Sequence, residues 1–318
     1  MIPLYVLIFI VSCVFLSLAG KWVVESLIKI TRFLKVREFI VASILMAFST
    51  SLPELFIGIT SALNQAPQLS FGDIIGSNII ILTLIVGIVA FVGKGLRFEG
   101  KTLQTSSLYA SLIALIPLLL ILDGKASRAD GLILLLALGL YFHQLLHEEE
   151  KFRKIFDKFK EENDEFKSFL KNLGIFIGGI CILLASAQGI VFSTSYLAKG
   201  FNLPLVIIGV LLVAIGTSLP EITFGVRSII MGRKEMILGD LMGSVVINST
   251  LIFGLVSLIS PVEIPNFSPY FIGIIFTVVA TLFFTIFART HEIISRKEAV
   301  FLILIYIVFV IIEIVTQF

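Results

Sequence analysis

Ser49-Thr50-Ser51-Leu52-Pro53-Glu54 returns later in the chain, with one change, as Gly216-Thr217-Ser218-Leu219-Pro220-Glu221. A displacement of 167 residues lays 40–88 on 207–255 without a gap. Gly72-Asp73 falls on Gly239-Asp240, and Gly76-Ser77 on Gly243-Ser244. Gly58, Ser61, Thr83 and Gly87 meet Gly225, Ser228, Thr250 and Gly254. Apolar helices aligned by chance match leucines and isoleucines; these matches are polar or helix-breaking, and so mark an internal duplication.

The surroundings of the repeat are apolar. Of 318 residues, 58% are hydrophobic and 14% charged, against about 25% charged in a soluble domain. Apolar runs predict ten helices, near 3–30, 38–63, 70–93, 103–122, 129–146, 172–198, 204–231, 236–259, 267–288 and 298–317. Most have the roughly 20 residues that cross a ~30 Å hydrocarbon core. The first lacks the basic n-region of a signal peptide and reads as helix 1. Cys13 and Cys181 lie far apart in apolar runs, which excludes a disulfide framework, and the three histidines are scattered. A net charge of +2 gives no reason to expect nucleic acid as a partner.

Twenty Lys and Arg fall within 29–37, 94–101, 151–171, 227–234 and 289–297, on one side of the expected bundle. Only Lys125, Arg128 and Lys199 fall on the other. By the positive-inside bias both termini are outside and 147–171 is cytoplasmic, in a cell (inner) membrane. That charged segment repeats Phe152, Phe156, Phe159 and Phe166 at near-helical spacing, which predicts an amphipathic linker on the membrane surface. It separates two membrane regions, 1–146 and 172–318.

The first copy of the repeat begins in helix 2 and the second in helix 7, so the two run through the bilayer in opposite directions. The expected fold is an all-α polytopic membrane protein: ten transmembrane helices as two inverted five-helix repeats. Inverted repeats with interrupted helices build secondary transporters whose ion sites lie near the midplane.

Glu54 and Glu221 both fall near mid-membrane, where a carboxylate costs several kcal/mol and is retained for function. Two carboxylates sharing a dry site repel, and a cation between them relieves this. Ca2+ suits such a site because it takes six to eight oxygens at about 2.3–2.6 Å. Pro53 and Pro220 lack an N–H and crowd the carbonyl four residues back, which predicts opened helices with carbonyls free around Ala47 and Ala214. Thr50, Ser51, Thr217 and Ser218 add hydroxyls. On helices 3 and 8, spacing i, i+4, i+8 aligns Asp73, Ser77 and Ile81, and Asp240, Ser244 and Asn248. Ser77, Ser244 and Asn248 are therefore expected to reach a midplane ion, and Gly72, Gly76, Gly239 and Gly243 to let backbones approach. Asp73 and Asp240, a turn nearer the helix start, are expected chiefly as N-terminal charges at the two mouths, favoured by the helix dipole. A relay or gate is their functional reading.

The duplicated motif resembles the alpha repeats of the sodium/calcium exchanger family, in the calcium/cation antiporter superfamily, whose hallmark is Gly-Thr-Ser-Leu-Pro-Glu in both halves. Gly216 to Glu221 match it fully, and Ser49 replaces glycine in the first copy. The resemblance implies alternating access by sliding of helices 1 and 6 around four cation sites. It assigns Ca2+ to Glu54, Glu221, Thr50 and Thr217 with backbone carbonyls, and flanking Na+ to Ser51, Ser77, Ser218 and Ser244. It implies no cofactor, no catalysis, and no partner beyond lipid and inorganic cations. Relatives line the middle site with a polar or acidic side chain from helix 3 and one from helix 8. Those positions here are Ile81 and Asn248, which raises H+ as the alternative counter-ion. Two rivals are a cation channel and an intramembrane aspartyl protease, but Ser70 and Ile237 stand where the Gly-x-Gly-Asp signature of such proteases requires glycine.

Overall fold

The computed structural model describes residues 2–33, 48, 50–98, 101–147, 166–230, 234–289 and 293–317. The helices are α1 (Ile2–Phe33), α2 (Leu52–Leu63), α3 (Pro67–Val92), α4 (Lys101–Leu120), α5 (Arg128–His147) and α6 (Phe166–Phe201). They continue with α7 (Leu205–Ile230), α8 (Lys234–Ile247, running on to Ile259), α9 (Ser268–Arg289) and α10 (Arg296–Gln317). Among the described residues, eight helices are long and apolar enough to cross a membrane, and α2 is a shorter apolar helix. A helix satisfies all its interior backbone groups within itself, which is why apolar chains in lipid adopt it.

Besides α5, expected as a span over 129–146 and not among those eight, two elements differ from expectation. The segment expected as helix 2, 38–63, is described from Phe48 onward except Ser49, and breaks at Ser51 before resuming as α2. The α6 helix begins at Phe166, six residues inside the expected linker. Asn172 Nδ2 donates to the Ser168 carbonyl at 2.7 Å, tying that added turn together. The remaining linker residues, 148–165, and its phenylalanines 152, 156 and 159 lie outside the described residues.

The helices sort into an inner and an outer set. Over the most apolar 18 residues of each span, 83% are buried in α3 and 78% in α8, against 22–44% in α1, α4, α6, α9 and α10. The outer helices present unpaired apolar faces, such as Leu4, Leu7, Ile10 and Val14 of α1, as a lipid-facing surface does. The α1 and α6 helices lie antiparallel against each other: Tyr5 stacks on Tyr196 at 4.5 Å, and farther along Gly179 faces Val23. At the centre α3 crosses α7 almost backbone to backbone. A Cβ on Gly72 would strike the Val206 carbonyl oxygen, and one on Gly209 the Leu69 carbonyl oxygen. Gly239 meets nothing among the described residues; the counterpart of its expected neighbours, 39–43, lies outside them.

Contacts at the two ends come in matched pairs. Strand β1 (Leu96–Arg97) pairs antiparallel with β4 (Ile293–Ile294), and β2 (Lys125–Ala126) with β3 (Val262–Glu263). Positive φ at Gly95 (110°) and Gly124 (92°) makes the turns into β1 and β2, a conformation glycine takes without strain. Ser127 caps α5 through Asp130 Oδ2 (backbone N–H 2.7 Å, hydroxyl 2.6 Å), and Ser295 caps α10 through Glu298 Oε2 (both 2.7 Å). The next residue ties each helix across the bundle: Arg128 Nε donates to the Leu258 carbonyl (3.1 Å), and Arg296 Nε to the Phe91 carbonyl (3.3 Å). Ser-Arg-x-acid at 127 and 295 is therefore a further matched segment, offset by 168 residues where the motif repeat is offset by 167.

Candidate functional site

Each copy of the motif interrupts a helix in the same way. The α7 helix stops at Thr217, Ser218 turns with φ −79° and ψ 1°, and a fresh helix runs over Leu219–Ile230. Ser51 takes φ −83° and ψ 5° ahead of Leu52–Leu63, so both resumed helices have 12 residues. Pro53 and Pro220 thus occupy the second position of a new helix, where the missing N–H costs nothing, rather than kinking a continuous one. The new helices are anchored by Leu55 N–H on the Ser51 carbonyl (3.0 Å) and Ile222 N–H on that of Ser218 (3.1 Å). Glu54 and Glu221 follow in the first turn, where the helix dipole favours negative charge.

Both glutamates are fully buried, and neither carboxylate has a hydrogen-bond partner among the described residues. Glu221 lies within electrostatic reach of Glu54, Asp240 and Asp73. Hydroxyls of one motif bond to the helix of the other copy. Thr217 Oγ1 donates to Asp73 Oδ1 at 3.0 Å and stands 3.3 Å from Ser77 Oγ. Thr50 Oγ1 donates to Asp240 Oδ1 at 3.0 Å and stands 3.0 Å from Ser244 Oγ. Under the repeat these are the same two contacts made twice. Ser218 Oγ lies 3.5 Å from Ser77 Oγ, while Ser51 Oγ and both polar atoms of Asn248 are buried with no partner among the described residues.

The backbone around this cluster is irregular. Turns of π-helix occupy Ile80–Ile85 in α3, Gly209–Val213 in α7 and Asn248–Ile252 in α8. Single π turns gather at functional sites and leave carbonyls differently aimed from those of an α-helix. They also end the regular i, i+4 stripe before Ile81 and Asn248, which lie on the π turns themselves. The Ala214 carbonyl accepts the Ser218 N–H at 3.1 Å, with the Thr217 hydroxyl 3.2 Å away, so a cation there would compete for an engaged oxygen. Ala47 lies outside the described residues.

Other side chains were not singled out from the sequence as site residues. Asp73 and Asp240, expected at the mouths, are buried at 0% and 2% exposure and bonded to the threonines of the opposite motifs. Their duplication, one position after paired glycines, was the available signal. Asn78 joins α3 to α8 through Ser249 Oγ at 2.8 Å, a contact with no equivalent in the second copy. Glu313, in the last turns of α10, is fully buried with both oxygens unpartnered among the described residues; a lone acid in an apolar helix was its signal.

Among the described residues no three His, Cys, Asp or Glu side chains converge as a metal cage. An ion held here would be shared between separated carboxylates and neutral oxygens, an arrangement that binds and releases. A multi-pass helical membrane protein with such a buried, duplicated oxygen cluster belongs to the cation antiporters. The chain is a member of the sodium/calcium exchanger protein family, whose profile matches residues 4–144 and 171–315. It is 29% identical to sodium/calcium exchanger MaX1 of Methanosarcina acetivorans, over 98% of this chain and 99% of that protein. It is 28% identical to inner membrane protein YrbG of Escherichia coli, over 71% of this chain and 70% of that one. Among solved structures it resembles the sodium-calcium exchanger NCX_Mj soaked with Na+ and Sr2+, with a TM-score of 0.64 and 26% identity over 97% of this chain and 98% of that chain.

Proposed function

We propose that the protein exchanges Ca2+ for Na+ by alternating access, through ten transmembrane helices arranged as two five-helix halves of opposite orientation. The observation that carries this reading is the doubled cross-half contact, Thr217 to Asp73 and Ser77 and Thr50 to Asp240 and Ser244, around two unpartnered glutamates. The matched strand pairs and capping boxes at the two ends support the inverted arrangement. Ca2+ sits between Glu54 and Glu221, whose two charges balance it, with Thr50 and Thr217 and carbonyls near Ala47 and Ala214 completing the shell. Ser51, Ser77, Ser218, Ser244 and Asn248 provide oxygens for the counter-ion. The outer helix α1 rests against both motifs, with Gly20 beside Pro53 and Cys13 beside Gly216, and sliding of the α1–α6 pair exposes the site to one side at a time. The localisation is a cell membrane with both termini outside.

Names of relatives support Na+ as the counter-ion. Ile81, fully buried and without oxygen, supports H+ in its place. The test is 45Ca2+ uptake into proteoliposomes with a Na+ gradient and a pH gradient imposed separately. Uptake driven by Na+ is expected, and Glu54→Gln and Glu221→Gln are each expected to abolish it in normally folded protein. Wild-type-like uptake by either variant, or Ca2+ flux that needs no counter-ion gradient, contradicts the reading.

A further inference from the structure

Glu54 and Glu221 are two of four carboxylates at the centre of the bundle. The others, Asp73 and Asp240, each commit one oxygen to the protein. Asp73 Oδ1 accepts from Thr217 at 3.0 Å and from Ser77 at 3.4 Å, and Asp240 Oδ1 from Thr50 at 3.0 Å. Oδ2 of each is enclosed and has no partner among the described residues. A dipole-stabilised N-terminal charge does not account for this, because the dipole's effect falls off within the first turn of a helix. Asp73 is the seventh residue of α3, beneath the α7 crossing, and wholly buried. Among the described residues neither aspartate forms an ion pair; the salt bridge found there, Lys21–Glu25, is at the surface. A buried ionised group without a counter-charge is among the most expensive features a protein can carry, and a bound cation removes the expense.

The hydroxyls gathered at each aspartate suit a small cation. Around Asp73 are the Ser77, Thr217 and Ser218 hydroxyls, with Ser218 Oγ 3.5 Å from Ser77 Oγ. Around Asp240 are the Thr50 and Ser244 hydroxyls, 3.0 Å from each other. Each cluster joins one negative charge to neutral hydroxyls of both halves. One carboxylate balances a monovalent ion, whereas a divalent ion needs the two that Glu54 and Glu221 supply between them. Resting on the exchanger reading, we propose that Asp73 and Asp240 are direct cation ligands, each completing with these hydroxyls a singly charged pocket for a monovalent cation beside the Ca2+ position.

The test uses purified protein in detergent, with 22Na+ as the probe in Ca2+-free buffer and 45Ca2+ as the probe in Na+-free buffer. Asp73→Asn and Asp240→Asn keep the oxygen that accepts the threonine hydroxyl and remove only the charge. Each is expected to lower bound Na+ by one ion per protein, and the double variant by two. One Ca2+ per protein is still expected to bind without Na+, its affinity lowered only through the lost charge near Glu54 and Glu221. Unchanged Na+ stoichiometry in monodisperse variants overturns the proposal and leaves the aspartates as positioning residues for Thr217 and Thr50. Equal loss of Ca2+ and Na+ also overturns it, by assigning them to the central site. If the Asn variants do not fold, wild-type protein labelled with 13C-aspartate decides the matter. Isotope-shifted carboxylate bands in the Na+-induced infrared difference spectrum are expected, and their absence refutes the ligation. The exchange reading fails by a different result, the absence of 45Ca2+ binding to wild-type protein.

Discussion

Gly76 stands one residue before Ser77, where α3 crosses α7. A methyl group there would strike the Val210 carbonyl oxygen, meet Ala214 Cβ at 2.5 Å and approach Val210 Cα to 3.0 Å. Non-bonded carbons rest at about 3.5–4.0 Å, so the Ala214 contact alone requires the helices to part by about 1 Å. Ser77 Oγ and Thr217 Oγ1 are 3.3 Å apart, and the same parting takes them out of hydrogen-bond range. Overpacking of this kind costs about 1–3 kcal/mol, partly offset by the roughly 1 kcal/mol preference of a helix for alanine over glycine. The effect on transport is expected to be larger than the effect on stability. Ligand shells tolerate only tenths of an ångström, and displacement of a site by ~1 Å costs up to about a hundredfold in rate. Gly76→Ala is therefore expected to reduce Na+-driven 45Ca2+ uptake in proteoliposomes at least about tenfold. Its melting temperature should fall by only a few degrees. Gly178→Ala is the control: a Cβ there meets nothing within 4 Å, so transport should stay at the wild-type level. Gly76→Ala protein transporting like wild type would refute the claim that the α3–α7 crossing sets the register of the site.

Other perturbations separate the remaining roles. Ile81→Asn returns an oxygen to the π turn of α3 and is expected to steepen the Na+ dependence of Ca2+ exchange; a wild-type Hill slope near three (the upper end implied by the family's flanking and middle sites), unchanged in the variant, would show that this position is not a cation site. Cysteines placed within 148–165 are expected to resist impermeant reagent in intact cells and to label after lysis, and labelling from outside would reverse the proposed orientation. Glu313→Leu removes a buried carboxylate with no partner among the described residues, which costs about 1–3 kcal/mol, and should raise the melting temperature by several degrees without loss of uptake. Lost uptake in that variant would make Glu313 part of the transport machinery.

Much of this site is readable in the linear chain because its chemistry is local. Thr-Ser-Leu-Pro-Glu interrupts a helix by rules that act within a few residues: proline without its N–H, serine at the turn, glutamate in the first turn of the resumed helix. Duplication of that pattern in apolar surroundings marks Glu54 and Glu221, and composition alone determines that the chain is a helical membrane protein. Depth and partnership are decided only by the tertiary structure. Asp73 reads from sequence as a charge near the beginning of a helix. It is enclosed because Gly72, Gly76 and Gly209 let α7 lie on α3, and its partner Thr217 is 144 residues away. No local signal carries that distance. The stripe through Ile81 and Asn248 assumes a regular helix, and π turns end it in α3 and α8, with a third in α7. The matched caps at Ser127 and Ser295 escape a gapless alignment because one added residue shifts the second copy. That insertion is immaterial to the fold: both caps are held by Arg128 and Arg296 reaching across to the ends of α8 and α3, bonds set by position in space and not by spacing along the chain.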